Sequence, residues 1–429
     1  MSSKINEVNT EELFSKIDQK EYRIIDVRSV DAYNGWCLEN EERGGHIKGA
    51  KSLSIKWTKY FDWIEIVRAK GILPEHKIIL YGYTAEESQK VATLFQHAKY
   101  PDISIYNQFV HEWCANTDLP MDKLKRYKQL VYPEWVKSIS EGKKPLNFKN
   151  NDFVICHAHY RNHDDYMKGH IPGAISLDTL ALESPETWNR RSPEELKSAL
   201  EKHGINADTT VVLYGRFSYP KNEDPFPGSS AGHLGAIRCA FIMMYAGVKD
   251  VRVLNGGLQS WEDKGYAITT EITLPKAKSD FGITIPAKPE LAVDVPEAKE
   301  LIASSDGDIV CVRSWPEYIG EVSGYNYIEK KGRIPGTVFG NCGSDAYHME
   351  NYRNLDHTMR EFHEIEEIWN EVNIKPDKHL AFYCGTGWRG SEAFYNAWLM
   401  GWPRVSVFDG GWFEWSNDLN NPYETGEPK

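Results

Sequence analysis

Cys384 opens the run Cys384-Gly385-Thr386-Gly387-Trp388-Arg389, between an apolar strand-like stretch, Leu380 to Tyr383, and a helix-like stretch from Ser391 to Met400. Two glycines let the backbone curl round the sulfur, so that several N–H groups can converge on one negative atom. The positive end of the following helix and the guanidinium of Arg389 both favour thiolate over thiol. Such a loop suits a nucleophilic cysteine, and it equally holds a persulfide anion once sulfur has been added. A cysteine that merely ends a buried strand needs neither the glycine pair nor an arginine five residues on.

The elements that must position this loop recur three times. A strand-like opening appears as Arg23 to Ser29, as Phe153 to Ala158 and as Asp308 to Ser314, an alignment that makes Asp26, Cys156 and Cys311 equivalent. A turn follows each: Gly45-His46-Ile47-Lys48-Gly49, Gly169-His170-Ile171-Pro172-Gly173 and Gly332-Arg333-Ile334-Pro335-Gly336. Next comes an apolar run ending in Tyr81, Tyr214 or Tyr383, and finally a segment closing on Trp113, Trp261 or Trp415. Short, fully apolar runs separated by helical patterns predict buried parallel sheets. Capping residues at Asn9 and prolines at Pro133 and Pro296 mark the helix that introduces each copy. The position of Cys384 is held by Gly82 in the first copy and Gly215 in the second, so copy three alone carries the nucleophile. Copy two is longer by an insertion, Phe217 to Ala231, of loop composition.

The six-residue run resembles the active loop of rhodaneses, in which cysteine comes first and arginine or threonine sixth. Phe408-Asp409-Gly410-Gly411-Trp412-Phe413-Glu414-Trp415 resembles the family's C-terminal signature, and Gly332 to Gly336 its Gly-His-Ile-x-Gly element. Cysteine phosphatases of related fold use a loop one residue longer, and the shorter ring here fits a single sulfur better than a tetrahedral oxyanion. The resemblance covers essentially the whole chain. It implies an α/β protein of three tandem rhodanese-like domains, each a mostly parallel sheet with helices on both faces. The expected spans are 1–126 and 127–281 for two inactive domains, the second with the insertion 217–231, and 282–429 for the catalytic one. Three-domain members with this loop are paralogues of 3-mercaptopyruvate sulfurtransferases, and in tandem members the catalytic loop lies at the seam between an inactive and an active domain.

Length and composition agree with several such domains: 429 residues, 41% hydrophobic. A formal charge of −12 disfavours partnership with nucleic acid or an anionic membrane, so small anions must be gathered by a local positive site. Seven scattered cysteines point to a reduced compartment rather than a disulfide framework. The N-terminus lacks an apolar leader core, which predicts a cytoplasmic protein, or a periplasmic one if a leader has been removed.

By the resemblance, Cys384 attacks the outer sulfur of thiosulfate, expels sulfite and passes the retained sulfur to a thiophilic acceptor such as cyanide or a thiol. The loop residues Gly385, Thr386, Gly387, Trp388 and Arg389 surround the sulfur, and Arg313 contacts the anionic donor. No metal or organic cofactor is required. Trp388 and Trp315 are candidate pocket walls, and the segment Asp345 to Arg360 is a candidate acceptor surface. Cys156 and the nearby histidines do not read as a metal site, because a strand points Cys156 and His157 to opposite faces. The donor is ambiguous, since Gly385 is like mercaptopyruvate enzymes and Arg389 like thiosulfate enzymes. Two further readings stay open: a persulfide relay partnered with a cysteine desulfurase or a thiolation-pathway protein, and a scaffold whose inactive copies do the work.

Overall fold

The computed structural model describes residues 5–145, 148–161, 163–217 and 231–428. It divides into two compact units, Met1–Lys128 and Gln129–Lys429.

The first unit holds one copy. Its five-stranded sheet runs Asn6–Glu7, Ile103–Tyr106, Lys77–Tyr81, Tyr22–Asp26, Lys51–Ser52, and every pairing is parallel. Strand side chains alternate between faces, and both faces are apolar here. Ile25, Ile78 and Leu80 pack with Val91 and Phe95 on one side. Ile24, Ile79 and Tyr81 pack with Phe109 and Trp113 on the other. The first helix starts where the sequence predicts, with Asn9 closing a capping box on Glu12, and Thr84 closes a second box on Glu87.

The second unit holds two copies with the same strand order. One sheet runs Leu130–Val131, Asp250–Leu254, Thr210–Gly215, Phe153–His159, Ile175–Asp178. The other runs Ala292–Val293, Val405–Phe408, His379–Tyr383, Gly307–Cys311, Val338–Phe339. Each copy closes on its tryptophan in the same way. The indole N–H of Trp113 reaches the Pro120 carbonyl at 3.2 Å, that of Trp261 the Ala267 carbonyl at 3.1 Å, and that of Trp415 the Pro422 carbonyl at 2.8 Å.

Register corrects one alignment. Tyr81 lies opposite Asp26, Tyr383 opposite Cys311, and Tyr214 opposite His157. His157, not Cys156, is therefore the equivalent of Asp26 and Cys311. A slip of one residue moves a side chain to the other face of a sheet, so Cys156 belongs to a different layer of the core.

Of the insertion expected at Phe217 to Ala231, 218–230 lie outside the described residues. Phe217 is buried and stacks on the His357 ring at 4.0 Å between centroids, with Arg353 above it. Among the described residues, no helix is long and apolar enough to cross a membrane.

Candidate active site

Cys384 follows directly on the strand His379–Tyr383, and the helix Trp388–Met400 begins one turn earlier than the sequence pattern suggests. The chain turns through Gly387 at φ 84°, the left-handed region that favours glycine. A Cβ there would also lie 2.7 Å from the Asp409 carbonyl oxygen and 2.9 Å from an Arg238 nitrogen, so no side chain fits. Gly385 is needed for a different reason. A Cβ at that position would stand 2.4 Å from the Tyr325 ring.

Tyr325 sits over the loop. Its hydroxyl oxygen accepts the Gly385 N–H at 3.2 Å and an Arg389 Nη2 hydrogen at 2.7 Å. Burial raises its phenol well above the ordinary value, so it rests protonated. With both lone pairs occupied by donors, the phenol hydrogen is left to point at whatever acceptor enters the cavity. The Gly385 amide is thus committed to tyrosine rather than to the Cys384 sulfur, a departure from the expected ring of loop amides.

Arg389 has a counter-ion that the sequence reading did not identify. It is buried and forms a two-pronged pair with Glu317, Nη1 to Oε2 at 3.0 Å and Nη2 to Oε1 at 2.7 Å. A further hydrogen bond runs from Nη1 to the Asp345 carbonyl at 3.0 Å. Burial alone would push the Glu317 carboxyl up. The charge and hydrogen bonds of Arg389 outweigh that and hold it below its ordinary value.

Arg313, expected on the donor, is fully buried beneath the sheet end. Its Nε meets the Cys311 sulfur at 3.3 Å and its Nη2 the Gly332 carbonyl at 2.7 Å, with the Trp412 ring 5.0 Å away. It does not line the cavity. Trp315 does not either. It is 39% exposed and packs on Tyr318 and Phe339.

Cys384 opens onto a cavity of about 510 Å³, within the range of small-molecule sites. Cys384, Thr386, Trp388 and Arg389 line it, as the sequence suggests. Sequence reasoning missed most of the remaining wall: Tyr160 and Trp188 from copy two, and Tyr325, Tyr327 and Phe413 from copy three. Only the segment beginning at Asp345 was anticipated, and it contributes Ala346 and Tyr347. The Cys384 loop therefore does lie at the seam of copies two and three. Arg161 and Glu186 are the exposed charged residues of the lining.

The rhodanese-like domain model matches residues 9–116, 158–264 and 294–418. Thiosulfate sulfurtransferase YnjE of Escherichia coli is 40% identical over 417 residues, 96% of this chain and 91% of that protein. Sulfur carrier protein TtuD of Thermus thermophilus is 29% identical over 70% of this chain and 97% of its own length. Solved structures of a protein named EanB superpose with TM-scores of 0.97 and 0.98 at 62% identity, covering 99–100% of both chains; one is a complex with ergothioneine and another a complex with hercynine. A further EanB structure holds a cysteine persulfide in a tetrahedral intermediate state with ergothioneine. The EanB variants alter that cysteine, the threonine two residues later, a tyrosine, and two other cysteines. At identical intervals this chain has Cys384, Thr386, Tyr325, Cys342 and Cys311. With three matched copies and relatives of this kind, the chain belongs to the rhodanese-like family of sulfurtransferases.

Proposed function

We propose that the protein carries sulfane sulfur as a Cys384 persulfide and delivers it to C2 of an imidazole, converting hercynine to ergothioneine. The observation that carries this reading is the aromatic cavity at Cys384, with the Tyr325 phenol aimed into it by two donors. Hercynine is the trimethylammonium betaine of histidine. Aromatic faces attract such a cation, and the cavity presents Tyr160, Trp188, Tyr325, Tyr327, Trp388 and Phe413. The full-length likeness to EanB, which binds hercynine and ergothioneine, supports the same acceptor.

The chemistry balances without an external oxidant. In loading, the Cys384 thiolate attacks the outer sulfur of thiosulfate, a disulfide-type bond forms and sulfite leaves. In transfer, the terminal persulfide sulfur adds to imidazole C2 while Tyr325 gives its proton to the ring nitrogen. The tetrahedral carbon then loses its hydrogen as a proton to the Tyr325 phenolate, which the Gly385 N–H and Arg389 stabilise. The C–H electron pair becomes the C=S bond, and the S–S pair leaves on Cys384 as thiolate. Carbon is oxidised, the sulfane sulfur is reduced, and the tyrosine is regenerated.

The test is to incubate purified protein with hercynine and either thiosulfate or polysulfide, beside Cys384→Ser, and to measure ergothioneine by mass spectrometry. Cyanide replaces hercynine in a parallel series. Steady ergothioneine formation that needs Cys384 supports the reading; thiocyanate formation without ergothioneine refutes it. That outcome would favour the second reading, a thiosulfate sulfurtransferase with a simple thiophilic acceptor, which rests on the likeness to YnjE.

A further inference from the structure

Trp188, in the cavity wall, has a left-handed backbone, φ 62°. For a bulky residue this is an outlier, of the kind that persists only where surrounding groups over-determine it and that gathers at functional sites. Two hydrogen bonds fix it: its N–H donates to the Ser184 carbonyl at 2.9 Å, and its own carbonyl accepts from Arg238 Nη2 at 2.9 Å.

The second tryptophan of the wall is fixed by the partner of that same arginine. The Trp388 indole N–H reaches both Glu183 oxygens, at 3.1 and 2.9 Å, and Arg238 Nε donates to Glu183 Oε2 at 3.1 Å. Tyr160 stands between the two indoles, its ring centroid 5.7 Å from Trp188 and 5.6 Å from Trp388. We propose that the buried Glu183–Arg238 pair of copy two is the positioning device for an aromatic cation site, in which Arg238 sets the Trp188 backbone and Glu183 the Trp388 indole, so that the cavity selects acceptors bearing a quaternary ammonium. This rests on the acceptor reading above and gives the inactive copy a part in specificity.

The pair is one end of a charge relay. Arg238 Nη1 pairs with Asp409 at 2.5 Å, Asp409 with Arg190 at 2.8 Å, and Arg190 with Asp294 at 2.8 Å. Three carboxylates thus share two guanidinium groups. Glu183 is costly to keep ionised: burial, only partly offset by Arg238, pushes it up to about 7. Replacing it with a neutral residue leaves two cations facing two anions, so the variant strands no buried charge.

The test compares wild type, Glu183→Leu, Glu183→Gln and Trp388→Phe by the affinity for hercynine, for histidine and for tetramethylammonium. The hercynine-to-histidine preference should fall by about tenfold in Glu183→Leu, the loss expected when a desolvated cation–aromatic contact is misplaced. Glu183→Gln, which keeps an acceptor for the indole, should retain most of the preference. Tetramethylammonium binding should weaken in parallel with hercynine binding. A preference and a tetramethylammonium affinity unchanged in both Glu183→Leu and Trp388→Phe would overturn the proposal. If wild type binds tetramethylammonium through Glu183 but neither binds nor thiolates hercynine, the acceptor reading falls and the positioning role stands.

Discussion

Replacing Arg389 with methionine should damage stability before it damages electrostatics. The Arg389 and Glu317 side chains are 1% and 0% exposed and share two hydrogen bonds. Removing one member of such a pair typically costs about 3–5 kcal/mol, because the other is left as a buried charge. Each kcal/mol moves Tm by about 2 °C in a body the size of Gln129–Lys429, so its transition should fall by roughly 6–10 °C. The sign of the pH dependence should also reverse. In the wild type, Glu317 has a lowered value, so its contribution is present above the ordinary carboxylate range and lost as pH falls through the folded value. In the variant, burial is opposed only by the smaller pull of Arg313 and the Ser314 N–H, so that value rises, and the penalty is largest at alkaline pH and shrinks on acidification. The assay is thermal denaturation of wild type, Arg389→Met, Glu317→Gln and the double variant from pH 5 to 9. The double variant should be more stable than Arg389→Met alone, since it leaves no charge stranded. A single variant within 2 °C of wild type, or losses that simply add in the double variant, would refute the argument.

Cys384→Ser should abolish turnover, and intact mass after thiosulfate should show one added sulfur on the wild type and none on the variant. Tyr325→Phe keeps the ring but removes the proton donor, and should lower acceptor turnover by about 10²–10⁴-fold with persulfide loading retained; equal turnover would remove the phenol from the chemistry. Gly385→Ala drives a methyl into the Tyr325 ring, so its acceptor kinetics should resemble those of Tyr325→Phe, and wild-type kinetics would show that the loop yields at no cost.

What was legible in the sequence is what acts over short range. The Cys384 loop, the three copies and the capped helices all follow from residues within one or two turns of each other. Tyr325 and Glu317 were not visible as site residues, because they reach the loop from another element. Glu317 carried a signal of a different meaning: Ser314 and Glu317 form a capping box, and the same carboxylate also pairs Arg389. Trp188 and Glu183 gave no signal, since only the packing of copy two against copy three brings Trp188 to the cavity and Glu183 to the Trp388 indole. The confusion of Cys156 with His157 has a simple cause. Adjacent residues of an apolar strand look alike in sequence, and only the pairing with Tyr214 tells them apart. Of the insertion, Phe217 packs on His357 and is not part of the cavity wall.

Copies one and three of the repeated unit carry opposite local charge around their equivalent arginines, Arg28 and Arg313. In copy one, the buried Arg28 lies between two carboxylates, Asp26 at 2.6 Å and Glu41 at 3.8 Å. In copy three, the register position of Asp26 is Cys311, and Arg313 donates to its sulfur instead of to a carboxylate. Glu317 then faces two guanidinium groups, Arg389 through direct hydrogen bonds and Arg313 through space. Around these two equivalent arginines, copy one thus gathers one cation with two anions, and copy three two cations with one anion. In a chain of formal charge −12, this reversal makes the interior around Arg313 and Arg389 locally positive. It also gives the Arg389 pairing a consequence: Glu317 cancels one guanidinium, and the cluster of Arg313, Glu317 and Arg389 keeps a net positive charge inside copy three.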